Sequence, residues 1–148
     1  MKKLMVLLVV LVLAGCGAQK SDLNIGHAFV KDGNCAEALP YLDQTISNPD
    51  DLMDIAYAFF LKARCAEKAG EIAKAYEYLY ATKRVTCYSV EHETNVNLNT
   101  YARSEYCQEG LPAKLKELEP SAGDVKAIRQ QVDSRLHAKY LEQFVVNK

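Results

Sequence analysis

The chain has 148 residues and a formal net charge of −1, the length of a single domain. With 18 basic against 19 acidic side chains and no run of like charge, it lacks the basic patch of a nucleic-acid binder. Beyond residue 15 no apolar stretch is long enough to span a bilayer.

The N-terminus has the order of an export signal. Positive Met1-Lys2-Lys3 is followed by ten uninterrupted apolar residues from Leu4 to Leu13, then by the small pair Ala14-Gly15 and by Cys16. Ten helical residues at about 1.5 Å each cover about half of a ~30 Å hydrocarbon core, so the run suits a signal better than a span. Leu13-Ala14-Gly15-Cys16 also resembles the lipobox of bacterial lipoproteins. The resemblance implies cleavage before Cys16 and a diacylglycerol on its thiol. Further acylation makes such an anchor stable where one chain would hold only marginally. Gly17 and Ala18 follow, not the aspartate associated with inner-membrane retention. The likeness therefore implies an outer-membrane lipoprotein with its domain in the periplasm. The expected division is a signal peptide at 1–15, a lipidated linker at 16–21 and a helical domain at 22–148. Removing the signal leaves 133 residues, and loss of Lys2 and Lys3 moves the formal charge from −1 to −3.

Next along the chain, Gly33-x4-Ala38-x3-Leu42-x2-Thr45 recurs 37 residues later as Gly70-x4-Ala75-x3-Leu79-x2-Thr82. Ala, Leu, Glu, Lys and Tyr dominate residues 34–47, 52–68 and 71–84 without strand-like alternation, so helices are expected there. Gly33 and Gly70 stand at helix ends, and Pro49-Asp50-Asp51 reads as a turn. The pattern resembles the tetratricopeptide repeat, a helix-turn-helix unit of about 34 residues. In the first unit, near 19–52, Ile25-Gly26 matches the family's large-then-small pair, Phe29 its aromatic and Ala38 its packed alanine. In the second, near 56–89, Phe59 and Ala63 fit. There Lys62 stands where a large apolar residue is expected, and Ala66 where an aromatic is. A third unit is suggested near 99–118 by Tyr106, Gly110 and Leu115, at a longer spacing of 40 residues. Finally, Ser121-x-x-Asp124 after Pro120 reads as a capping box. Val125, Ile128, Val132, Leu136, Tyr140 and Phe144 then form one apolar stripe, a long final helix expected to cap the last repeat.

Cys35, Cys65, Cys87 and Cys107 remain once Cys16 is assigned, and four cysteines in an exported domain read first as two disulfides. Cys35 and Cys65 each lie 15 residues from Asp50, so antiparallel helices joined there bring them level. A cross-link of that loop length stabilises by roughly 3–4 kcal/mol. Cys87 and Cys107 then pair around a stretch where Asn95, Asn97 and Asn99 weaken helix and favour a turn. Three pairings of four cysteines are possible, and this one is preferred.

Signatures of chemistry are missing from the sequence. There is no Cys-x-x-Cys for zinc or haem, His27, His92 and His137 are scattered, and no His-Glu-x-x-His occurs. Neither a Gly-x-Ser-x-Gly elbow nor a phosphate or dinucleotide loop is present. No catalytic residue, metal or cofactor is expected, and the chain does not read as an enzyme. Tyr76, Tyr78, Tyr80 and Tyr88 lie close together, with Tyr76 and Tyr80 on one helical face and Tyr78 elsewhere.

The expected fold is all-α. It comprises two to three tetratricopeptide-like antiparallel hairpins and a long C-terminal capping helix, held by two disulfides. In the resembling family the first helix of each repeat lines a groove, which nominates Leu23, His27, Tyr57, Phe60 and Arg64 as partner-binding residues. The expected function is a non-catalytic adaptor for a peptide or partner protein of an envelope assembly, secretion or pilus machine. The alternative is a small-ligand-binding or enzyme-regulating lipoprotein with a helical pocket.

Overall fold

The structure, a computed structural model, describes residues 20–92 and 97–137. The signal, Cys16, Asn95, Tyr140 and Phe144 lie outside the described residues. All regular elements among the described residues are helical: α1 (Asp22–Lys31), α2 (Cys35–Ser47), α3 (Leu52–Lys68), α4 (Ile72–Glu91), α5 (Leu98–Glu105), α6 (Leu111–Leu118) and α7 (Val125–Leu136). A π-helical segment, Tyr106–Gly110, joins α5 to α6, and a 3-10 turn, Glu119–Ser121, follows α6.

The starts of α1, α3, α5 and α7 are set by side-chain caps on amides that lack an intrahelical partner. Ser21 Oγ accepts from the Asn24 amide, and Asp51 Oδ1 accepts from Met53 and Asp54 at 2.6 and 2.9 Å. Asn97 and Thr100 close a capping box on α5. The expected box at Ser121 is not the one that forms. Ser121 belongs to the 3-10 turn, and Asp124 itself caps α7 by accepting from the Ala127 amide at 3.0 Å.

One turn recurs at Gly33 and Gly70, with φ of +83° and +73°. At the first, the Asn34 amide bonds Phe29 O and the Gly33 amide bonds Val30 O; at the second, Glu71 bonds Ala66 O and Gly70 bonds Glu67 O. This is the Schellman arrangement, in which a left-handed residue satisfies the last carbonyls of a helix. Gly123, with φ of +83°, takes the same conformation before α7.

These turns make α1–α2 and α3–α4 antiparallel hairpins, and α2 packs on α3. The third unit differs from the expected hairpin. Gly110 has φ of −63° and sits inside a helical path running through α5, the π segment and α6. Both halves of that path pack along α4. Helix α7 also packs on α4. Arg129 bonds Tyr76 and Asp133 bonds Tyr80, so residue numbers rise together and the two helices run parallel.

Two apolar clusters form the core. The first gathers Ala38, Leu42 and Ile46 of α2 with Ile55, Phe59 and Leu61 of α3, Ala81 and Val85 of α4, and Val132 and Leu136 of α7. The second gathers Ala66 of α3, Tyr76 and Leu79 of α4, and Leu111, Leu115 and Leu118 of α6. Where the repeat pattern departs from its family, local packing supplies the reason. Lys62 is mostly buried along its stem, pairs with Asp43 and lies 4.7 Å over the Tyr78 ring. Ala66 is 4% exposed at a helix crossing that an aromatic ring would force apart.

The preferred disulfides are both present. Cys35–Cys65 joins α2 to α3 and Cys87–Cys107 joins α4 to the π segment, with Cα separations of 5.5 and 5.4 Å.

Candidate functional site

From α1 to α5 successive helices reverse direction, so α1, α3 and α5 begin at one end of the molecule, and a row of aromatic rings crosses α1, α3 and the π segment that continues α5. The His27 ring on α1 stands edge-on to Tyr57 of α3 at 5.7 Å. Tyr57 stacks with Phe60 at 6.2 Å, and Phe60 meets Tyr106 edge-on at 6.4 Å. Such spacings are those of interacting aromatic pairs. The spacing of Tyr57 and Phe60, three apart on one helix, puts them on one face.

Between Phe60 and Tyr106 the row crosses an open pocket of about 310 Å³. Met53, Ala56, Tyr57 and Phe60 of α3 make one wall, and Ala102 and Arg103 of α5 with Tyr106 make the other. Thr82 and Thr86 of α4 floor it. The Thr82 hydroxyl donates to the Tyr78 carbonyl at 2.9 Å, so its polarity is satisfied within the fold. Arg103 brings a guanidinium to the rim and donates to Thr100 Oγ1 at 3.4 Å. The Tyr106 phenol is held above its ordinary pKa by burial first and by nearby Glu67 second, so it is neutral at physiological pH and free to donate or accept.

Two features of the π segment build the second wall. The extra residue of a π turn displaces the helix locally, a distortion common at functional sites. A Cβ on Gly110 would lie 2.7 Å from Tyr106 Cδ2, so the missing side chain makes room for the Tyr106 ring. The Cys87–Cys107 bond fixes this segment to α4.

Of the five residues nominated from the repeat pattern, His27, Tyr57 and Phe60 come together in the row. Arg64 is exposed one turn beyond Phe60 on α3. Leu23 is half-buried against the first core cluster and is not part of the pocket lining. Tyr106, Met53, Ala102 and Arg103 were not nominated. Met53 lies on α3 a turn before Tyr57, whereas Tyr106, Ala102 and Arg103 depend on the α5–α6 path, which the suggested third unit read as a hairpin.

Comparison with protein-family models, with curated proteins and with solved structures finds no match for this chain. The site must therefore be read from its own chemistry. Among the described residues no group of three or more His, Cys, Asp or Glu side chains could hold a metal ion, and no helix is long and apolar enough to cross a membrane. Two tyrosines of the α4 cluster serve the α4–α7 interface. Tyr76 is fully buried and its hydroxyl accepts from Arg129 Nε at 2.6 Å, while Tyr80 donates to Asp133 at 3.0 Å. Tyr78 stacks on Phe59 at 6.2 Å.

Proposed function

We propose that this protein is a lipid-anchored, non-catalytic adaptor of the bacterial cell envelope, and that it holds a peptide segment of a partner protein in the aromatic groove. The observation that carries the reading is the row His27–Tyr57–Phe60–Tyr106, laid across helices that begin at one end and leading into the pocket. Tyrosine and phenylalanine clusters of this kind concentrate binding energy in protein contacts. The tetratricopeptide likeness supports it, because stacked hairpins present extended binding surfaces. The lipobox likeness supports attachment through Cys16 at the periplasmic face of the outer membrane.

Cross-linking in intact cells tests this, comparing wild type with Cys16→Ser and with Tyr57→Ala/Phe60→Ala. The expected result is one protein enriched by the wild type and lost with the groove variant. Recovery of the same abundant neighbours with every variant would overturn it. The pocket itself favours a second reading, a small apolar ligand held at the same place, since its volume of about 310 Å³ lies within the range of small-molecule sites. A bound small molecule in the mass spectrum of natively purified protein would select that reading.

A further inference from the structure

Leu98 is 86% exposed and Tyr101 is 66% exposed, whereas the other large apolar side chains on the described surface, Tyr57 and Tyr106, are each 39% exposed. Single exposed apolar residues are ordinary on a protein surface. This pair is different in that the two lie three apart on one face of α5, outside the groove lining. Residues 94–102 also carry no charged side chain.

The position of the pair in the fold suggests what covers it. Helix α1 begins at Asp22, α2 runs back to the turn before α3, and α4 runs back to the end at which α3 and α5 start. The starts of α1 and α5 therefore lie at the same end, and Asp22 at that end is the α1 residue nearest Cys16 in sequence. Cys16 and Asp22 are six residue steps apart in sequence, which allows a separation of at most about 20 Å. Helix α4 alone, at 20 residues, is about 30 Å long. A lipid on Cys16 therefore keeps the α5 end near the bilayer and leaves the Gly33–Gly70 end far from it.

We propose that Leu98 and Tyr101 form a foot that rests on the bilayer surface beside the anchor, with the leucine entering the interface and the tyrosine keeping its hydroxyl in the headgroup layer. The inference rests on the lipoprotein reading. An apolar body with a polar tip suits that boundary. Tethering raises the local concentration of membrane surface, so a contact too weak to recruit a free domain is populated once the domain is anchored. Asp50 and Asp51 lie in the neighbouring turn at the same end. Their charge repels anionic headgroups, so the surface that fits is zwitterionic. The consequence for the groove is orientation: its helices stand roughly upright on the membrane, with the pocket opening sideways into the periplasm.

The sequence contains no tryptophan, which makes a single reporter clean. Mature lipidated protein carrying Tyr101→Trp is reconstituted in phosphatidylcholine vesicles with brominated acyl chains, beside Ala73→Trp at the far end of α4 as the control. The expected result is severalfold stronger quenching of the Tyr101→Trp reporter. Quenching should fall when Leu98→Ser is added, fall when phosphatidylglycerol is included, and be lost with Cys16→Ser. Both positions being exposed, an unchanged circular-dichroism melt confirms that each variant is folded. Equal quenching of the two reporters in protein whose intact mass shows the lipid overturns the foot and leaves the anchor standing. A mass without lipid overturns both. Weak quenching together with a protein captured by a photo-cross-linker at position 98 in cells assigns the patch to a protein partner and also overturns the foot.

Discussion

A methyl group on Gly26 would stand 2.7 Å from Leu42 Cδ2 and 3.1 Å from Leu42 Cγ, and Leu42 is fully buried between α1 and α3. Leu42 has no space to give, so the overpacking cost of about 1–3 kcal/mol outweighs the gain of about 1 kcal/mol from replacing glycine within a helix. Gly26→Ala should therefore lose about 1 kcal/mol of stability. Leu42→Val should be less harmful in that background than alone, as a urea double-mutant cycle would show. Gly110 meets the same test with a different neighbour. Its added methyl meets the Tyr106 ring, which is 39% exposed and can swing outward. Gly110→Ala should leave the urea midpoint unchanged or higher and weaken binding of the apolar fluorophore N-phenyl-1-naphthylamine to the groove. Loss of stability without loss of dye binding would contradict the role assigned to this residue. The two glycines also show where the sequence is legible. Ile25-Gly26 stands in a repeat, so its partner Leu42 can be located from the pattern. Gly110 read as a turn, because glycine in sequence does not distinguish a left-handed backbone from a close ring contact.

Between elements, the two disulfides close loops of similar length, with cysteine separations of 30 and 20 residues. Chain entropy therefore gives them nearly the same effect on stability, roughly 3–4 kcal/mol each. Their places in the fold differ. Cys35–Cys65 ties α2 to α3 beside the turn at Gly33, away from the pocket. Cys87–Cys107 holds the π segment, and Tyr106 with it, against α4. Replacing either pair with serine should lower the melting temperature comparably. Only Cys87→Ser/Cys107→Ser should also reduce dye binding, measured at a temperature where both variants remain folded. Equal loss of binding in both would mean that the groove depends on overall stability alone. At this scale the hairpins could be read because the repeat and the equal distance of Cys35 and Cys65 from Asp50 agree independently. The α5–α6 path could not. One inserted residue converts a turn into a π segment, and helical periodicity is the same on both sides of it.

For the whole molecule, α7 decides whether the hairpins behave as separate units. In a plain stack each repeat contacts only its neighbours, and ends fray independently. Here Val125 packs against the cluster built on α4 and α6, Ile128 against both clusters, and Val132 and Leu136 within the cluster shared by α2, α3 and α4. Polar contacts reinforce the seam. Asp133 pairs with Arg84 at 2.8 Å and Arg135 with Glu77 at 3.0 Å, and the Arg135 guanidinium lies 5.8 Å over the Phe59 ring. The exposed ion pairs add little by themselves, so the apolar side chains carry the coupling. Removing a fully buried leucine costs about 2–5 kcal/mol, and Leu136 is 0% exposed. Because its neighbours belong to several helices, Leu136→Ala should lower the protection of slow amides in α2, α3 and α4 by one common amount in native-state hydrogen exchange. The urea transition should stay single. If only amides of α7 lost protection, α7 would be a dispensable cap on an independently stable pair of hairpins.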